Sequence, residues 1–103
     1  MRMNINAYSH LKEMLGERLT LAMAVRSIRE TDNISQGDMA KQLNVTQAYL
    51  SDIENRRKMI SPKKAAEIAD ILGQSQKQFI RLAIQDLLDR DGLHYDVDLH
   101  DVA

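Results

Sequence analysis

Ser35 to Asn55 reads SQGDMAKQLNVTQAYLSDIEN, and this stretch decides the fold. Ser35 is a good helix N-cap, because its hydroxyl accepts from the free N–H groups of a first turn. Asp38, three residues on, makes an S-x-x-D variant of the capping box. Met39, Ala40 and Leu43 follow at helical spacing, which gives the first helix one face to bury. Asn44 stands where that helix must stop, since asparagine tolerates the left-handed backbone better than any residue except glycine. Val45 reads as a buried connector. Thr46 caps a second helix whose inward side carries Leu50 and Ile53, three apart. So short a turn forces the two helices to cross steeply, and Ala40 is small where the crossing needs close approach.

Gln36, Ala40, Asn44 (where glycine is usual), Val45, Leu50 and Ile53 fall at the spacings of a known family. The stretch resembles the Cro/C1-type, or Xre-like, helix-turn-helix regulators. Gln36 and Gln47 match two glutamines that several phage repressors place at the starts of the paired helices. Arg29 and Glu54 match an ion pair that in some of those repressors ties the first helix to the recognition helix, a structural role. The similarity runs from about Leu15 to Leu82. It implies an all-α, five-helix, lambda-repressor-like domain that binds double-stranded DNA, and a dimer that reads the major groove with its second paired helix.

The flanking sequence is organised to match. Residues 1–16 read as a helical extension with an apolar stripe of Tyr8, Leu11, Met14 and Leu15. Gly16 either kinks it or separates it from the body, which we take as residues 17–92. Glu17 to Glu30 reads as the first core helix, with Leu21, Val25 and Ile28 inward, ended by Thr31, Asp32 and Asn33. Ser61 and Pro62 start another helix, Ala65, Ile68, Ala69 and Leu72 line it, and Gly73 closes it. Ser75 with Gln78 caps the last helix, Gln76 to about Asp91, which Gly92 ends. Phe79, Ile80, Ala83, Ile84, Leu87 and Leu88 form an apolar stripe on it wider than a surface helix needs. In the family this element often carries the dimer contact, and the resemblance implies the same here.

Residues 93–103 form an acidic tail. Leu93, Tyr95, Val97 and Leu99 alternate with His94, Asp96, Asp98 and His100, the pattern of a short strand with one apolar face. A lone strand is not stable, so its edge belongs to a second copy or to another protein. The polar face includes usable metal ligands, but the pattern is read as the wet side of a strand, and no metal is assigned.

The totals limit the alternatives. The chain of 103 residues has a net charge of −1 and no cysteine, which excludes disulfides and thiolate metal sites. No apolar run approaches the ~18 residues of a membrane helix, and the N-terminal stretch lacks a signal-peptide core. A DNA binder is often basic, and here the charge is uneven. Ser35 to Lys64 holds six cations against three anions, and Asp86 to Ala103 holds one arginine against six aspartates. A basic middle with an acidic tail leaves room for a basic face. With no glycine-rich phosphate loop and no HExxH, and with serines placed at caps, an enzyme is not expected, nor is a cofactor.

The resemblance assigns base reading to the helix from Thr46 to Asn55. Gln47 suits a bidentate bond to adenine, Ala48 a thymine methyl, and Asp52 cytosine N4; Thr46 and Tyr49 complete the base-reading set. Gln36, Ser51, Asn55, Arg56, Arg57 and Lys58 are assigned to phosphates, Gln36 because it lies at a helix N-terminus. The resulting expectation is a cytoplasmic, bacterial or phage-encoded homodimeric repressor on a pseudo-palindromic operator. The competing class is an antitoxin that binds a toxin protein, through the tail, and represses its own operon.

Overall fold

Each helix among the described residues begins on a hydroxyl and ends on a left-handed residue. The computed structural model describes residues 19–102. It contains α1 (Leu21–Thr31), α2 (Gln36–Leu43), α3 (Gln47–Glu54), α4 (Pro62–Leu72) and α5 (Gln76–Arg90). The side chains of Thr20, Ser35, Thr46, Ser61 and Ser75 accept from the third backbone N–H of their respective helices at 3.0–3.2 Å. Each bond satisfies a donor that the helix cannot pair internally. The expected extension over residues 1–16 lies outside the described residues. The first core helix starts at Leu21 rather than Glu17, because Thr20 takes an extended backbone and caps it.

The stops share one geometry. Asn33, Asn44, Arg56, Gly73 and Gly92 have φ of 55, 57, 60, 68 and 71°. After each helix two bonds close back on the last turn, as in Asn44 N to Lys41 O and Val45 N to Ala40 O. Arg56 N to Ile53 O with Arg57 N to Asp52 O repeats the pattern after α3, and Gly92 N to Asp89 O with Leu93 N to Leu88 O repeats it after α5. These are Schellman motifs, and they make each connection abrupt.

The helices enclose one core. Val25 and Ile28 of α1, Met39 and Leu43 of α2, Leu50 of α3, Ile68 and Leu72 of α4, and Phe79 and Leu82 of α5 are almost fully buried. Each such side chain contributes roughly 1.5–3 kcal/mol relative to exposure. α4 packs along α5, α2 crosses α3, and α1 touches both α3 and α5. α3 is thereby clamped on its inner side by Leu50 and Ile53, with its outer side free.

Residues 93–102 form no strand, contrary to the alternation in their sequence. A strand needs a neighbouring strand edge, and here the neighbour is α5. The Gln85 side chain takes the place of that edge. Its Nε2 donates to Tyr95 O and its Oε1 accepts from Val97 N, both at 2.8 Å. Val97 and Leu99 are the half-buried tail residues. Lys77 Nζ meets Asp101 at 2.8 Å, so the tail runs back toward the start of α5. Four extended residues cover about 13 Å, close to the ~12 Å of the eight helical residues from Gln85 to Lys77.

Candidate nucleic-acid interface

The outer face of α3 follows from its inner one. With Leu50 and Ile53 buried, Thr46, Gln47 and Ala48 are exposed at its N-terminal end. Gln47 reaches back over α2, where its Oε1 lies 3.6 Å from the place a Cβ on Gly37 would occupy. The N-terminal turns of α2 and α3 are therefore neighbours, with Gln36 and Gln47 at their starts.

A buried carboxylate sets the pose of α3. The Glu54 side chain is fully buried. Arg29 of α1 donates to it twice, Nε to Oε2 at 2.8 Å and Nη2 to Oε1 at 3.0 Å. Arg26 Nε and Gln36 Nε2 donate to Oε1 at 3.4 and 3.3 Å. Burial works to raise the Glu54 pKa, but the hydrogen bonds from Arg29, Gln36 and Arg26 outweigh it and hold the carboxyl below its ordinary value. Three helices thus converge on one ionised group. Arg26 and the use of Gln36 as an internal donor were not read from the sequence, because nothing local marks them. They lie 28 and 18 residues from Glu54.

The C-terminal half of α3 is held by a surface network. Arg57 Nε meets Asp52 Oδ1 at 3.0 Å, and Arg57 Nη2 donates to Ser51 Oγ at 3.4 Å. Asn55 Nδ2 donates to Ser51 O at 2.8 Å, and Arg26 Nη2 donates to Asn55 Oδ1. Asp52 and Arg57 therefore neutralise each other in the free chain. Arg56, Arg57 and Lys58 are exposed on the loop that follows. Tyr49 is half-buried and packs against the core, with Lys58 Nζ 5.0 Å and Lys64 Nζ 5.9 Å from its ring centre.

Two turns joined at a fixed crossing, with one helix presented outward, form the arrangement that enters a major groove. Residues 25–75 match the family model described as helix-turn-helix. The chain belongs to the Cro/C1-type helix-turn-helix family. It carries the DNA-binding domain of that family. No curated protein and no solved structure matches the chain.

Other sequence-derived residues distribute as follows. Phe79 and Ala83 of α5 are buried in the chain's own core, so they are not free to meet a second copy. Ile80, Ile84, Leu87 and Leu88 are half-buried, with Ile80 beside Leu99 of the tail. In the tail, Asp98 Oδ2 lies 3.3 Å from His100 Nε2. Among the described residues, no group of three or more His, Cys, Asp or Glu is placed to hold a metal ion, and no helix is long and apolar enough to cross a membrane. A second buried carboxylate, Asp86, accepts from Leu21 N at 3.3 Å and so adds to the cap of α1. Burial pushes it up to about 6, against the pull of the Leu21 hydrogen bond and of Arg56.

Proposed function

We propose that the chain is a sequence-specific regulator that represses transcription as a homodimer, acting in the cytoplasm of a bacterium or of a phage-infected one. The supporting observation is the exposed N-terminal turn of α3, held by Glu54 and flanked by the basic loop 56–58. Gln47 reads adenine, Ala48 contacts a thymine methyl, and Asp52 accepts from cytosine once Arg57 turns to phosphate. Thr46 contributes a hydroxyl beside them. Gln36, Ser51, Asn55, Arg56, Arg57 and Lys58 contact the backbone. Ile80, Ile84, Leu87 and Leu88 supply the apolar part of the dimer contact, which places two copies of α3 in successive major grooves of a pseudo-palindromic site. Half-sites then lie about one helical turn apart.

Fluorescence anisotropy on DNA from upstream of its own coding region, against a scrambled duplex at two salt concentrations, tests this reading. Binding at least ~10³ tighter to the native fragment is expected. Equal, salt-sensitive binding to both would leave a basic face without sequence reading. A second reading, an antitoxin, is favoured by one observation: the acidic tail leaves Tyr95 and Val102 70 and 96% exposed. In that case removal of residues 93–103 abolishes capture of the toxin and leaves DNA binding intact.

A further inference from the structure

The ring of Tyr49 gathers two cations from two different elements. Lys58 comes from the loop after α3, and Lys64 from the first turn of α4. Both ammonium groups lie within the ~6 Å over which an aromatic face attracts a cation. Tyr49 is a fixed platform for them, since it is half-buried and packed against the core. The carboxylate paired with Lys64 is Glu67, at 3.6 Å on the surface of the same helix, where such a pair contributes little.

The backbone adds to the same charge. Tyr49 and Lys64 each hold the third position of a helix, and each donates its N–H to the capping hydroxyl, Thr46 for one and Ser61 for the other. Lys64, in the N-terminal turn of α4, thus reaches the ring of Tyr49, in the N-terminal turn of α3. Each turn carries the positive end of a helix dipole, roughly half an elementary charge. Two ammonium groups on one ring, with the helix starts that carry Tyr49 and Lys64, make a place that favours an anion.

We propose that Tyr49, Lys58 and Lys64 act as one clamp on the phosphate backbone of double-stranded DNA. This rests on the reading of the chain as a DNA-binding regulator, and it changes two roles within it. Tyr49 is a positioning residue, not a base reader, because its ring packs against the core and is engaged by the two lysines. Lys64 is a phosphate contact that the pattern around the recognition helix does not single out, since it lies ten residues beyond the end of α3.

The test is the salt dependence of binding to a random-sequence duplex and to the tightest duplex selected from a random pool. Lys64→Gln and Lys58→Gln are each expected to lower the slope of log K against log salt by about 0.9 on both DNAs. Tyr49→Phe keeps the ring and is expected to bind as the wild type does. Tyr49→Leu keeps apolar packing without the aromatic face, and is expected to lose about two- to fivefold on both DNAs alike. In the Lys58→Gln/Lys64→Gln background the same Tyr49→Leu change is expected to do nothing further, which a purely structural role for Tyr49 does not predict. Selective loss by Tyr49→Phe on the selected duplex would make its hydroxyl a base reader and overturn the clamp, as would an unchanged slope in Lys64→Gln. If Tyr49→Leu does not fold, the Phe and Gln variants decide alone. A wild-type chain that binds neither duplex removes the parent reading, whereas normal wild-type binding with unaltered variants removes only the clamp.

Discussion

Arg29 and Glu54 are joined by two parallel hydrogen bonds across the contact between α1 and α3, at 2.8 and 3.0 Å, with the carboxylate wholly shielded from solvent. An ionised group buried this way depends on its donors, and removing one partner of such a pair typically costs about 3–5 kcal/mol. Arg26 and Gln36 still donate when Arg29 is lost. Arg29→Met is therefore expected to destabilise the fold by about 2–3 kcal/mol in urea unfolding. The sign of the pH effect follows from the lowered pKa of Glu54. Its stabilisation is present above the ordinary carboxylate range and is lost as the pH falls through the folded value. The two proteins should converge in stability once the pH has fallen below that folded value, which lies under the ordinary carboxylate range. A gap that persists there unchanged would show that Arg29 acts by packing alone.

Asp86 works in the opposite direction. Its folded pKa is raised to about 6, so its favourable contribution is complete below the unfolded value near 4 and is lost as the pH rises through about 6. Asparagine accepts the same Leu21 N–H without the charge. Asp86→Asn is expected to be more stable than the wild type at pH 7 by about 1–2 kcal/mol, after allowance for solvent screening, and no more stable near pH 4. Thermal unfolding across that range measures it. A variant less stable at both values would mean that attraction to Arg56 dominates.

Arg56 has a left-handed backbone that its side chain does not favour, at φ 60°. Arg56→Gly and Arg56→Ala remove the same guanidinium, and differ in tolerance of that backbone. The glycine variant should be the more stable by about 1 kcal/mol. Equal stability would indicate that the turn relaxes to another conformation.

Gln85 holds the tail by two bonds to its backbone, at Tyr95 O and Val97 N. The outer Lys77–Asp101 pair is exposed and adds little. In Gln85→Ala the Val97 amide is expected to exchange with solvent as an unstructured one does, with core amides still protected. Protection of Val97 in that variant would place the hold on Leu99 and Ile80 instead.

The residues that stop α2, α4 and α5 were legible because Asn44, Gly73 and Gly92 are types that accept a left-handed backbone. The stop at Arg56 was not, because arginine has no such preference and the turn is imposed by the closing bonds to Ile53 and Asp52. The outward face of α3 follows from the spacing of Leu50 and Ile53, and so does the exposure of Gln47 and Ala48. The engagement of Asp52 by Arg57 depends on how the chain turns after α3, which no periodicity encodes. Period-two alternation from Leu93 to Leu99 suggested a strand, and the pattern does describe which residues face inward at Val97 and Leu99. It carries no information about the partner, a glutamine side chain on a helix. Gln85 and Asp86 looked like ordinary polar helix positions because their partners, the tail backbone and Leu21 N, are distant in sequence.

Base reading by α3 is tested most directly through Gln47. The measurement compares the affinities of the wild type and Gln47→Ala for the duplex selected from a random pool and for its scrambled counterpart, at one salt concentration. Loss of one good bidentate base contact corresponds to about 1–3 kcal/mol on the selected duplex, with little change on the scrambled one. An equal loss on both duplexes, or none on either, would contradict the assignment of α3 as the reading helix.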